Sequence, residues 1–261
     1  MQILNVKLSL AFCIAGTALV LCQIPNVPID PPSLTALRSE YGQLASRVFD
    51  KAEGHPKPLS VTDEGTIEEE LRSIVRRGTA VLLDSARTNA QKIKEGIQTI
   101  QGSSDGLEVP PDYALPFADL FTVNATDTAA VAYPSEVLYS PPTLDFFVRT
   151  SKGWEQRASV GEEFRRCTFS VRRLPSPLAG QVWYLAWGHL IGDSGTRLKL
   201  RLYSFDGAEV RTVWSREGLT WGRVEITDGS VVLDYAEKYA PTEAGVKQIH
   251  EILHVTANGL Q

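Results

Sequence analysis

The sequence is poor in cysteine: three in 261 residues, of which Cys13 and Cys22 fall in an apolar N-terminal stretch. Once that stretch is removed, Cys167 stands alone and no intramolecular disulfide can form. Secreted eukaryotic domains of this size more often carry paired cysteines, so a lone thiol points to a bacterial envelope protein. Cys167, within Cys167-Thr-Phe169-Ser-Val171, reads as a small buried hydrophobe. Long apolar runs are missing as well. A spanning helix needs about 18 or more apolar residues, and Leu8 to Leu21 supplies only 14, so no stable membrane span is expected. Dense runs of Lys and Arg are absent, and acidic residues outnumber basic ones by 31 to 26. Such a balance opposes phosphate backbones and excludes nucleic acid as an expected partner. No regular internal repeat and no low-complexity stretch is visible.

What is present begins with residues 1–22. Lys7 supplies a positive n-region, the apolar run follows, and Val20 and Cys22 occupy the small-residue positions of a cleavage site. These residues read as a signal peptide, so the mature chain is expected to start near Gln23 in the periplasm or outside the cell. The end of this leader, Leu19-Val-Leu-Cys22, resembles a bacterial lipoprotein signal, which implies acylation of Cys22. Those signals carry a small residue where Leu21 stands, so cleavage without an anchor is the expectation. Residues 23–32 contain four prolines and read as an extended tether.

A helical hairpin is expected over residues 33–102. Ser33 sits at an N-cap position, and Leu34, Leu37, Tyr41, Leu44 and Val48 recur at spacings of three and four, with Phe49 widening the stripe. This first helix is expected to end near Gly54. Thr66-Ile-Glu-Glu69 matches a capping box for a second helix over 67–101. Its apolar face runs from Ile67, Leu71, Ile74 and Val75 through Leu82 to Ile93, Ile97 and Ile100. Gly78 and Ser85 to Asn89 are where a bend would fall, and Gly102 closes the helix.

From about residue 112 the texture changes, and all five tryptophans lie beyond that point. Leu144–Thr150 and Trp154–Val160 flank Lys152-Gly153 as a hairpin would. Residues 167–171 and 198–202 alternate with the period of half-buried strands. Asp206-Gly207 is a turn, and Asp228-Gly229 joins Trp221–Thr227 to Ser230–Tyr235. Residues 112–261 are therefore expected to form an antiparallel β-meander domain of eight to ten strands. A sandwich, a barrel or a propeller-like fragment would satisfy that spacing.

Several motifs suggest chemistry. His250-Glu-Ile-Leu-His254 matches H-E-x-x-H and resembles the zincin metalloprotease signature, which implies zinc on His250 and His254 and a general base at Glu251. Zincins add a third ligand downstream, and residues 255–261 contain no His, Glu, Asp or Cys. His189 is an upstream substitute. The β-branched residues of this segment favour a strand, so residues 247–256 are expected to be the final strand. Gly192-Asp-Ser194-Gly195 resembles the nucleophile peptide of chymotrypsin-like serine proteases. The match stops at Thr196, the family's histidine motif is missing, and His189 is the nearest base. A polar turn accounts for the same residues. Trp183 and Trp187 share one strand face and could form a sugar-binding platform, although cores use such side chains routinely. Asn124-Ala-Thr126 is a glycosylation sequon.

The chain is thus expected to be an exported α+β protein, a helical hairpin followed by an antiparallel β domain, with a non-catalytic binding or scaffold role and a protein or a glycan as partner. The alternatives are a zinc-dependent hydrolase using His250, Glu251 and His254, and a carbohydrate-binding module using tryptophan side chains. No catalytic, cofactor-binding or metal-ligating residue is assigned, and no cofactor is expected.

Overall fold

Ser33 begins the first helix as its side chain dictates: the Oγ accepts the Ala36 amide at 3.2 Å, and α1 runs over Leu34–Val48. The structure, a computed structural model, describes residues 33–50, 55–56, 60–86, 89–101, 116–133, 141–190, 197–227, 229–237 and 247–261. The leader, the tether, Gly54, Gly102, Asp228 and the Gly192–Gly195 motif lie outside them. α1 stops earlier than expected, because β1 (Phe49–Asp50) pairs with β2 (His55–Pro56). Phe49 therefore belongs to a strand and not to the helical stripe.

The second helix starts earlier than its capping-box match implies. α2 spans Val61–Ala86, and its cap is Ser60, whose Oγ accepts the Asp63 amide at 3.1 Å and donates to the Asp63 carboxylate at 2.6 Å. Thr66 lies inside the helix and donates to the Thr62 carbonyl, while Glu69 pairs with Arg72 and Arg76. Both Ser60-x-x-Asp63 and Thr66-x-x-Glu69 fit the capping pattern, and Ser60 is the one used. Replacing a capping Ser by Ala costs about 1 kcal/mol. We expect Ser60→Ala to lower the melting temperature measurably and Thr66→Ala to leave it near the parent value.

Asn89 caps a third helix, α3 (Ala90–Gln101), through its Oδ1 and the Lys92 amide at 3.2 Å. The break expected at 85–89 is therefore real, and it turns the expected hairpin into three helices that pack pairwise. Gly78 produces no bend. A Cβ there would lie 2.2 Å from Ile100 Cδ1 and 3.4 Å from Leu37 Cδ1, so Gly78 is the point where α1 and α3 meet α2. No helix among the described residues is long and apolar enough to cross a membrane.

A four-stranded antiparallel meander follows: β3 (Phe117–Val123), β4 (Thr126–Tyr133), β5 (Thr143–Thr150) and β6 (Gly153–Val160). The β3–β4 turn places Asn124 and Ala125 at φ 49° and 62°, the two positive values of a tight primed hairpin. Asn124, read from the sequence as a sequon, works here as a turn residue, and its amide donates to the Asp206 carbonyl. The β5–β6 hairpin forms as expected, with Thr150 opposite Gly153.

A second meander of seven antiparallel strands continues in chain order: β7 (Ser170–Leu174), β8 (Val182–His189), β9 (Arg197–Phe205), β10 (Val210–Thr227), β11 (Ser230–Ala236), β12 (Gln248–Thr256) and β13 (Gly259–Leu260). β10 pairs with β9 over its first part and with β11 over its last; Thr220 pairs with both, and bulges lie on either side of it. Gly218 and Trp221 carry the positive φ values of that transition. β13 then lies against the first part of β10, where a Cβ on Gly259 would come within 2.9 Å of Trp214 Cβ.

Alternation sorts the side chains into three cores. The helices cover one face of the four-stranded sheet through Ile93, Ile97, Val131 and Phe147. The other face packs on the seven-stranded sheet, where Phe146 stacks on Phe205 at 4.5 Å and meets Tyr184 edge-on. The third core gathers Trp183, Leu200, Val231 and Leu260 on the opposite side of the larger sheet. The architecture is α+β, with N-terminal helices packed together and a C-terminal antiparallel β region. No closed barrel or propeller is seen among the described residues.

Candidate functional site

Residues 248–256 settle the geometry of the H-E-x-x-H segment: β12 pairs with β11 in unbroken register from Ser230↔His254 to Ala236↔Gln248. It is a strand, as the β-branched residues imply, although β13 follows it as the last. Neighbouring strand residues point to opposite faces, and the contacts follow that rule. His250 Nδ1 lies 2.7 Å from Asp234 Oδ1, and His254 Nδ1 lies 2.9 Å from Ser230 Oγ, both on one face. Glu251 turns to the other face and accepts from Arg216 Nη1 at 2.5 Å. Arg216 also donates to the Tyr235 hydroxyl at 2.9 Å and lies over its ring. Four residues along a strand advance about 13 Å, so His250 and His254 cannot share one zinc ion, whose bonds to nitrogen are about 2 Å. Glu251 lies on the wrong face to deprotonate a ligand held by either histidine.

Ser230 and His254 form the kind of pair a nucleophile and its base would make. The carboxylate that could orient the base, Asp234, is bonded instead to His250, on a different imidazole. Ser230 and Asp234 belong to no local motif, because their partners lie 24 and 16 residues away, in register rather than in sequence. Among the described residues, no group of three His, Cys, Asp or Glu side chains is placed to hold a metal ion.

Cross-strand pairing makes the outer face of β10, β11 and β12 a grid. Arg223, Asp234 and His250 form one row; Glu225, Val232 and Ile252 the next; Thr227, Ser230 and His254 the third. Trp221 precedes Arg223 on β10, within the bulge between Thr220 and Arg223. Ile252 is 54% exposed and Trp221 40% exposed; with Leu178 at 38% they are the exposed large hydrophobic residues found among those described. Ile252 thus stands out of a polar, hydrogen-bonded surface on this face.

The remaining sequence candidates are occupied elsewhere. Trp183 is fully buried and Trp187 packs beside it in the third core, so the pair forms no exposed platform. Trp214 joins that core, and Trp154 packs against the helices. His189 Nε2 lies 2.7 Å from the Gly222 carbonyl. Cys167 is half-buried rather than buried, bridging to Leu190; burial raises its thiol pKa and Lys199 draws it back down.

Two polar clusters were not legible in the sequence. Asp145, fully buried on β5, accepts from Arg76 Nε at 2.8 Å and from Ser159 Oγ at 2.5 Å, tying α2 to β5 and β6. Burial raises its pKa while Arg76 and Ser159 oppose that shift. Tyr203 donates to Glu163, and Arg201 pairs with Glu217 beside it. Burial and the Glu163 carboxylate push the Tyr203 hydroxyl pKa well up. Both clusters join elements of the fold to each other. Comparison with protein-family models, with curated proteins and with solved structures returns no match.

Proposed function

We propose that this chain is an exported, non-catalytic binding protein that recognises a protein partner through the outer face of β10–β12. The observation that carries the reading is exposed Ile252 set among hydrogen-bonded polar residues on that face, with exposed Trp221 on β10 just before Arg223. Recognition surfaces combine aromatic and apolar side chains with a polar rim, and exposed apolar groups on such a patch mark interaction sites. Export is supported by the leader's Lys7, its short apolar run and its small-residue cleavage site. A glycan is the second reading, supported by the exposure of Trp221; the other tryptophans are packed.

The test compares the parent chain with Ile252→Glu, Trp221→Ala and Leu178→Ser as bait in envelope extracts and on a glycan array. The expected result is a protein retained by the parent and by Leu178→Ser but lost from the Ile252 and Trp221 variants, all four melting alike. Equal capture by all four removes the face as the site. Array binding lost only in Trp221→Ala replaces the protein partner with a glycan.

A further inference from the structure

We infer that His189 is a positioning residue for Trp221: by holding the Gly222 carbonyl it fixes the bulge of β10 that presents the indole, a role that rests on the reading of this surface as a binding site.

Trp221 has a φ of 50°, in the left-handed region where the Cβ of an L residue crowds the backbone. A bulky aromatic side chain there is an outlier. Asn124 and Ala125 share the region, but a two-residue hairpin turn calls for it at both. Trp221 instead lies inside an 18-residue strand, in the bulge between Thr220, opposite Ala236, and Arg223, opposite Asp234. Such conformations persist only where the surroundings over-determine them, and they gather at binding and switch sites. With Trp221 40% exposed, burial of the indole in a core is not what holds it.

The hold is on the next residue. Gly222 lies so close to β9 that a Cβ there would come within 2.6 Å of both Cβ and Cδ2 of Leu198. Its carbonyl then sits 2.7 Å from His189 Nε2, and because a carbonyl oxygen only accepts, Nε2 carries the proton. His189 belongs to β8, two strands away. Neighbouring strands lie about 4.8 Å apart, so a regular sheet would separate β8 from β10 by about 10 Å. The bulge closes that gap by bringing β10 back over Leu198, which pairs with His189 on one side and Leu219 on the other.

His189 is itself anchored. Its amide donates to Thr168 Oγ1 and its carbonyl accepts the Thr168 amide, both at 2.8 Å. Beside it, a Cβ on Gly188 would come within 1.8 Å of the Thr168 carbonyl oxygen, so that contact is as close as backbone allows. Thr168, His189 and Gly222 thus form a chain of hydrogen bonds that ends at the peptide carrying Trp221. An aromatic side chain on a backbone fixed in advance gives up little further freedom on binding, which is the advantage of preorganisation. Without the His189 donor, the backbone at 221–222 is free to leave the left-handed region and take the indole with it.

Fluorine NMR of the chain labelled with fluorotryptophan tests this. Five resonances are expected, one for each tryptophan, and that of Trp221 is the one missing from Trp221→Ala. His189→Met, which keeps bulk and removes the donor, should shift or split the Trp221 resonance and leave that of Trp154, packed on the helices, in place. His189→Gln, whose side-chain amide donates from a similar reach, should restore the parent position. Strain is read separately in thermal melts: Trp221→Gly should melt above Trp221→Ala, the reverse of the usual order inside a strand, because glycine alone takes this φ without cost. A Trp221 resonance unmoved by His189→Met, or displaced as far by His189→Gln, overturns the role of His189. Trp221→Ala melting at or above Trp221→Gly overturns the strained presentation. Should both expectations hold while Trp221→Ala captures as the parent does, His189 positions Trp221 and the recognition reading alone fails.

Discussion

Arg76→Ala is expected to cost about 3–5 kcal/mol at neutral pH, the range for leaving one member of a buried ion pair without its partner. Asp145 is fully buried and depends on Arg76 and Ser159 for its hydrogen bonds, whereas Arg76 is partly exposed and also meets Glu69. The truncation therefore leaves a carboxylate in a dry site with only the Ser159 hydroxyl. The sign of the pH dependence follows from the direction of the Asp145 shift. Its pKa in the folded chain is already raised by burial, with Arg76 pulling the other way. Without Arg76 it rises further, so the folded variant binds a proton at a pH where the unfolded chain does not. Stability relative to the parent is then recovered as pH falls through the folded-state value and lost as pH rises through it. Urea titrations of parent and variant across acid to neutral pH should show the gap closing on the acid side. A pH-independent gap would mean that Arg76 acts through packing alone. Asp145→Asn, which removes the charge but keeps a polar group, should cost less than Arg76→Ala at neutral pH.

How much of this was visible in the sequence depends on the range of the interaction that fixes each feature. Periodicity located Leu37, Ile74, Ile93 and Ile100, all of which are buried, because a helix places its stripe by local geometry. The alternation of Leu198, Leu200 and Leu202 worked for the same reason in β9. Helix ends were harder. Ser60 and Thr66 carry equivalent caps, and β1 pairing with β2 ends α1 at Val48 before the local signals at Gly54 do. Sequence pattern marks only Trp221–Thr227 of β10, because the strand's bulges interrupt the two-residue period that marks a strand. The candidate face shows the limit most clearly. His250 and His254 drew attention through a five-residue motif, but their partners come from β11. Cross-strand register, which goes with the burial of Val231 and Leu233, decided that Asp234 and Ser230 would face them.

Leu37→Asp should be the most damaging of the single changes considered, removing more than about 3 kcal/mol and leaving the helices unable to close. Leu37 is fully buried on α1 and meets α2 at Gly78, where the missing Cβ also admits Ile100 of α3. A carboxylate there loses the apolar contacts, about 2–5 kcal/mol for a leucine side chain. It also sits fully buried beside Ile100, and burying a carboxylate without a partner is costly. Protonation would relieve only the second part, so acid pH should not restore the parent stability, in contrast to Arg76→Ala. Arg77→Ala is the control on the same side of α2. Its guanidinium pairs with Glu40 at 2.6 Å, but both side chains are about half exposed, and such pairs contribute between zero and about 1 kcal/mol. Thermal melts followed by circular dichroism should place Leu37→Asp far below the parent, with helical signal lost first, and Arg77→Ala close to it. A Leu37→Asp melt equal to the parent would mean that α1 does not pack on Gly78 and Ile100. That would remove the packing reason for glycine at position 78, where a methyl group has no room while Ile100 and Leu37 hold their places.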